Sequence, residues 1–351
     1  MKSLLSKIGL AAGTFLLLVV ILEVGLSMAG YGNLELYSPD PNLYWKLTPN
    51  QNVVTKVGKK PVRINSHGTR GEEFETSKPV GTFRVLCLGD SRTYGWGLAE
   101  DETYSKRLEV LLQGVASEGT RVEVINAGVN AWSYPQMLVY LKRYALEYSP
   151  DIVVIDGANL WTVFGEDQTE AFKRSFRRKL VLKNLLRRSA IYHYFVEVRL
   201  RTYYDRYRKK LVAAGDRPDE QQFDAAEKAL LVSLGGTFQS IDDLLRAHGV
   251  ELVFLHTPRE DEVDSRRSRE LKRLMSEVAA RNGRVLVDAT DAFATAGGVL
   301  FQEADPIHPN AAGNAILADV LWGTVDSLPC FASAAASGRP TNDEPSGSQA
   351  P

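Results

Sequence analysis

Val85-Leu86-Cys87-Leu88-Gly89-Asp90-Ser91 reads as a short, continuously apolar strand that stops at a small turn carrying a serine. An apolar run without polar alternation predicts a strand covered on both faces, as in parallel sheets. Outward from it the pattern recurs. Strands are expected over residues 83–88, 122–126, 152–156, 252–256 and 285–288, with helical patterns near 103–116, 135–147, 219–247, 265–281 and 310–325. Short apolar strands separated by amphipathic helices predict an α/β fold whose central parallel sheet is covered by helices on both faces. Ligands of such sheets bind beyond the carboxyl ends of the strands. Ser91, Asn126 to Asn130 and Asn159 all fall there.

Near the other end, Asp305-Pro306-Ile307-His308-Pro309-Asn310 places a carboxylate three residues before a histidine. With Ser91 these supply a nucleophile, a base and an orienter. Acyl transfer through a covalent serine intermediate requires that set, because a neutral hydroxyl attacks poorly until a positioned imidazole takes its proton. The Asp-x-x-His spacing suits a tight turn presenting both side chains on one side, and Pro309 is expected to open the following helix. Singly, each piece has a plainer reading: Gly-Asp-Ser as a turn, Asp305 and His308 as a helix-capping loop, the asparagines as strand-end turns. Their joint occurrence in this order favours catalysis.

Composition permits this reading. The chain has 351 residues, 44% hydrophobic and 24% charged, with a formal net charge of −1, which fits one globular catalytic domain with appendages and argues against a general nucleic-acid binder. Two cysteines make no disulfide framework, and no His or Cys cluster has metal-ligand spacing, so neither metal nor cofactor is expected. His256 ends a strand and reads as structural or substrate-facing; His67, His193 and His248 are expected at the surface.

The quoted blocks, in this order, resemble those of the GDSL/SGNH hydrolase family over about residues 63–325. Gly89-Asp90-Ser91 matches the first block, Gly128 in Asn126-Ala127-Gly128-Val129-Asn130 the second, Asn159 in Gly157-Ala158-Asn159-Leu160 the third, and Asp305 with His308 the last. The resemblance implies a three-layer α/β/α sandwich of the flavodoxin-like SGNH hydrolase type. It also implies Ser91 as nucleophile, His308 as base, Asp305 as its orienter, and an oxyanion hole from the N–H groups of Ser91 and Gly128 and the amide of Asn159. The stretches 65–71 and Gly95-Trp96-Gly97 are similar to membrane-anchored, extracytoplasmic members associated with exopolysaccharide modification. Two positions depart from the pattern: Arg92 follows the serine where an apolar residue is usual, and Leu160 stands where an acidic one is usual. Arg92 is expected to face an anionic substrate or to pair with Asp101 or Glu102; with Asn130 it is a candidate substrate-binding residue.

The expected function is that of a serine esterase or deacylase removing ester-linked acyl groups, acetyl foremost, from an envelope or secreted glycan. The same residues serve an O-acyltransferase if a sugar hydroxyl replaces water. A non-catalytic glycan-binding assembly component is the alternative from another class, and it predicts that Ser91→Ala leaves cellular function intact.

Residues 1–30 read as a membrane anchor or signal. Lys2 and Lys7 precede an apolar run from Ile8 to Gly30, interrupted by Glu23. A bilayer span needs about 20 such residues. Ser27-Met28-Ala29 offers a signal-peptide cleavage site, but the run exceeds the usual h-region of about 7–15 residues, which favours an uncleaved anchor. Lysines before the span and acidic Glu35 and Asp40 after it place the catalytic part outside the cytoplasm. Residues 31–79 read as an irregular lead-in on the domain edge, 80–328 as the hydrolase-like domain, and 329–351 as a disordered tail. A basic helical insertion is expected at about 165–215. From 171 to 210 it carries 14 Lys or Arg against Glu197 and Asp205, with Phe, Tyr and Leu interleaved. It reads as a surface for anionic lipid, as one for an anionic polysaccharide, or as a helical cap with a solvated charged face.

Overall fold

The computed structural model describes residues 2–157, 170–204, 206–207, 225–260, 266–303 and 305–337. Helix α1 (Lys2–Met28) comes first; over Ser3–Met28 it is long and apolar enough to cross a bilayer, by length and composition. Two antiparallel hairpins follow, β1 (Tyr37–Asp40) with β2 (Tyr44–Leu47) and β3 (Gln51–Val54) with β4 (Pro61–Ile64). The α/β unit then runs β5 (Thr82–Gly89), α2 (Ser91–Tyr94), α3 (Tyr104–Val115), β6 (Arg121–Gly128), α4 (Tyr134–Arg143), β7 (Ile152–Asp156). Next come α5 (Glu170–Arg187) and α6 (Ala190–Tyr192), which continues into a π-helical segment, His193–Leu200. The chain finishes with α7 (Ala225–Ala247), β8 (Glu251–His256), α8 (Arg266–Asn282), β9 (Val285–Asp288), α9 (Thr290–Ala296), β10 (Phe301–Gln302), β11 (Asp305–Pro309), α10 (Ala311–Val325) and α11 (Pro329–Ser337).

All five expected strands form, each within two residues of the expected ends, as one parallel sheet in the order β6-β5-β7-β8-β9. Alternation along β5 shows why both faces are covered. Leu86 and Leu88 join one core cluster with residues of α4, α7 and α8; Phe83, Val85 and Cys87 join another with residues of α3, α9, α10 and α11. That is a three-layer α/β/α sandwich, and each fully buried Leu, Ile or Phe in it contributes about 1.5–3 kcal/mol. β6 and β7 flank β5 on opposite sides. The order therefore reverses at β5, and the crevice at its carboxyl end is the topological switch point.

Two expectations change. The lead-in 31–79 is irregular only in part: over 37–64 it forms the two hairpins, Leu34, Leu43, Leu47 and Ile64 are inaccessible, and the hairpin residues pack in the same cluster as Leu86 and Ile155. Turn residues hid a period-two pattern, Val53, Val62 and Ile64 pointing inward between exposed or half-buried neighbours. The tail expected from 329 is helical to 337, because Phe331 is buried edge-on against Phe83, ring centroids 4.9 Å apart. The rest of it lies outside the described residues.

Candidate active site

Ser91 begins α2 immediately after β5, and Asp90 caps that turn by accepting the Arg92 N–H at 2.9 Å. The turn is wedged between neighbours. A Cβ on Gly89 would stand 2.1 Å from Thr93 Oγ1 and 2.3 Å from the Asp156 carbonyl oxygen, so only glycine fits. Arg70, buried, donates from its guanidinium to the carbonyl oxygens of Tyr94 (2.7 Å), Gly95 (2.9 Å) and Leu98 (2.6 Å), fixing the loop that follows the serine.

His308 reaches this point from β11, which pairs with β10. Its Nε2 lies 2.8 Å from Ser91 Oγ, and its Nδ1 lies 2.7 Å from Asp305 Oδ2. The other Asp305 oxygen accepts the N–H groups of Ile307 (3.0 Å) and His308 (3.3 Å), so one carboxylate both shapes the turn and holds the ring. Burial alone raises the Asp305 carboxyl, but the hydrogen bond and charge of His308, the Ile307 N–H and the charge of Arg201 outweigh it and hold it at about 2. The carboxylate is therefore ionised throughout the neutral range. Pro309 does not open the next helix as expected; it ends β11, and Asn310 caps α10 through the N–H groups of Ala312 and Gly313.

Ser91 is half-buried whereas His308 is buried, so the hydroxyl is the open end of the series. Its N–H lies in the first helical turn, where no intrahelical acceptor exists. This arrangement can move a proton from the hydroxyl to an imidazole whose tautomer a carboxylate fixes.

The remaining sequence candidates divide. Gly128 sits beside the serine turn, but its N–H donates to Asn126 Oδ1 at 3.1 Å, and a Cβ there would meet Tyr94 N at 2.1 Å. Here it packs β6 closely on α2, with its N–H turned to the Asn126 side chain. Arg92 points inward: its guanidinium pairs with Asp156 Oδ1 at 2.8 Å, where the expected partner was Asp101 or Glu102, and donates to the Thr257 carbonyl oxygen at 2.7 Å. Burial pushes the Asp156 carboxyl up and Arg92 pulls it back. Arg92 is thus a core ion-pair partner, not a substrate contact. Asn130 is also buried, donating to Tyr37 Oη (2.7 Å) and Glu35 Oε1 (3.2 Å), which corrects its assignment to substrate as well. Asn159 lies outside the described residues. His193 is buried, not at the surface: its Nδ1 accepts the Gly32 N–H at 2.9 Å. His256 is buried at the end of β8, the structural one of its two readings.

Sequence reading missed the group behind His308. The Trp96 indole stacks on the imidazole, centroids 5.3 Å apart and planes 22° apart. Lys56 Nζ lies 4.5 Å and Arg201 Cζ 4.6 Å from the Trp96 ring. Lys56 is itself buried between Glu35 (3.8 Å) and Glu197 (3.7 Å); burial pushes its ammonium down to about 8 against the pull of Glu35. These residues come from the lead-in, the serine loop and the insertion. Gly95-Trp96-Gly97 was the one signal available.

Fold and site together define a hydrolase with a serine nucleophile at the carboxyl edge of a parallel sheet. The family model described as GDSL-like Lipase/Acylhydrolase matches residues 87–316, and the chain belongs to that family. By that membership it is a serine ester hydrolase. Comparison with curated protein sequences found no match. Among solved structures, the chain is similar to an acetylxylan esterase, Axe2, from Geobacillus stearothermophilus (15% identity, 69% of this chain and 94% of that one, TM-score 0.44). It is similar to a lipase/acylhydrolase from Enterococcus faecalis (16%, 69% and 95%, 0.42) and to TesA (17%, 69% and 97%, 0.43).

Proposed function

We propose that this chain removes ester-linked acyl groups, acetyl the expected one, from an extracytoplasmic glycan, with Ser91 as nucleophile. The observation that carries the reading is the unbroken series Ser91 Oγ, His308, Asp305, at 2.8 Å and 2.7 Å. As Ser91 attacks the ester carbonyl, His308 Nε2 takes its proton. Asp305, ionised, favours the imidazolium that forms. His308 then protonates the departing alcohol, and water, activated by the same imidazole, releases the acyl group. Charge developing on the carbonyl oxygen is met by the Ser91 N–H and, in this proposal, by the Asn159 side-chain amide; loss of one such donor costs about 10²–10³ in turnover.

The acetyl group rests on the family membership alone; the Trp96 indole, nearly buried, lies flat on the imidazole and covers that flank of the site. The glycan rests on the resemblance of residues 65–71 and 95–97 to exopolysaccharide-modifying members. Lys2 and Lys7 before the apolar helix and acidic residues after it support an extracytoplasmic site.

The test uses the full chain with a chromogenic acetyl ester, with and without an acetylated glycan or a deacetylated acceptor. Ser91→Ala and His308→Ala are each expected to lower turnover by at least about a thousandfold. Acetate released from the glycan at the parent's rate by both variants contradicts the reading, and release that appears only as transfer to the acceptor changes it to acyl transfer.

A further inference from the structure

The proposed reaction assigns no work to most of the basic segment 171–210, yet the structure ties that segment to the end of α1. At about 1.5 Å per residue, the apolar run from Ile8 to Leu22 extends for about 22 Å, and with Lys7 snorkelling at one end and the helix continuing past Glu23 at the other, α1 covers a bilayer's hydrocarbon core of about 30 Å. Glu23, the next residue and the only carboxylate of α1, accepts from Ser189 Oγ at 2.8 Å and from the N–H groups of Ala190 (2.6 Å) and Ile191 (3.0 Å). The charge that interrupts the apolar run is therefore held by the insertion. Tyr31 packs edge-on against His193 and Tyr194, at 5.3 Å and 5.0 Å, and Lys59 Nζ donates to the Ala29 carbonyl oxygen at 2.7 Å. The end of α1 and residues 189–194 form one packed unit.

Around that unit the insertion shows apolar side chains to solvent: Leu182, Leu185 and Leu186 on α5, Phe195, Val196 and Leu200 on the π-helical segment. Along the helices, none lies more than about 15 Å from the Glu23 contact. Elsewhere outside α1 and the insertion, the exposed large hydrophobic side chains among the described residues are scattered valines, such as Val110 on α3 and Val299. Arginines and lysines interleave with the insertion's apolar residues, and of the two acidic residues between 171 and 210, Glu197 is buried against Lys56. An apolar band set among cations, starting where a bilayer-length helix ends, matches the make-up of interfacial helices that sink into the headgroup region of anionic membranes.

We infer that residues 181–207 seat on the surface of an anionic phospholipid bilayer that α1 spans. The insertion holds the hydrolase domain down on that surface. Because Arg201, just past the π-helical segment, packs on Trp96, the same element borders the group behind His308. The inference concerns where the domain rests and does not require the reaction proposed above.

The test reads position rather than turnover. In a Cys330→Ser background, with Cys87 buried, nitroxides at Phe195→Cys and Leu200→Cys are compared with one at Val110→Cys in the full-length chain reconstituted into vesicles. With phosphatidylglycerol and phosphatidylcholine in equal parts, labels at 195 and 200 are expected to collide several-fold more with oxygen than with a water-soluble nickel complex, relative to the label at 110. Labels at 195 and 200 as open to the nickel complex as the one at 110 overturn the proposal. Equal shielding on phosphatidylcholine alone overturns its anionic-lipid part. Shielding by a soluble acidic polysaccharide, with none on vesicles, overturns it in favour of a polysaccharide partner.

Discussion

The serine turn with β11 and the insertion with its buried charges meet at one indole, and they are built on opposite logics. In the first, the pieces follow from local chemistry, a strand end, a glycine where the Thr93 side chain and the Asp156 backbone press in, a carboxylate three residues before the histidine it holds, and one hydrogen bond from Ser91 to His308 joins them across the chain. In the second, Lys56, Glu35, Arg187 and Glu197 come from distant stretches and are defined only by where the fold brings them. Chemistry demands residue types at set spacings, whereas support for it accepts any charges that pair. The first region is therefore readable before folding and the second only after it.

Three changes break or sharpen this contrast. The largest effect belongs to a residue that sequence alone left between the two sides, as a substrate contact or an ion-pair partner. Arg92→Met leaves the buried Asp156 carboxylate without its cation and is expected to cost about 3–5 kcal/mol in denaturant unfolding. KM of any soluble variant should stay at the parent value. A raised KM with unchanged stability would return Arg92 to the substrate side.

A middle-sized effect comes from Lys56. Its folded ammonium titrates near 8, below its ordinary value of 10.5. Between the two values the unfolded chain binds the extra proton, so stability rises as pH climbs from about 8 toward 10, on the order of 1–2 kcal/mol. Lys56→Met should flatten that rise in thermal melts taken across the range. An unchanged slope would show that the cluster does not hold this lysine as described.

The smallest effect is at the junction. Trp96→Phe keeps an aromatic face on His308 but removes part of the stack, worth about 0.5–1.5 kcal/mol, hence at most about a tenfold fall in kcat for a chromogenic acetate ester. A fall as deep as that of His308→Ala would place Trp96 among the reacting groups.

The sheet was legible because Val85 to Leu88, and the four runs like it, are apolar without alternation. The three residues of the hydrogen-bonded series were legible through their order and spacing. The hairpins of 31–79 were not, since turn residues separate strands of only four residues and mask their alternation. Gly128 is less legible, because a glycine beside a serine turn serves close packing and anion binding equally well, and the sequence does not show its N–H turned to Asn126. Arg92 stays open in the sequence for a related reason. A cation next to a nucleophile fits a substrate contact or an ion pair until the register of β5 with β7 sets Asp156 beside Gly89.

The central claim, that His308 activates Ser91, is tested most directly by the rate and site of phosphonylation with a small fluorophosphonate, followed by mass spectrometry of the intact and digested full-length chain. One adduct is expected, on Ser91, absent in Ser91→Ala and formed at least about a hundredfold more slowly in His308→Ala. An adduct on another residue, or labelling of Ser91 at the parent rate without the imidazole, would contradict it.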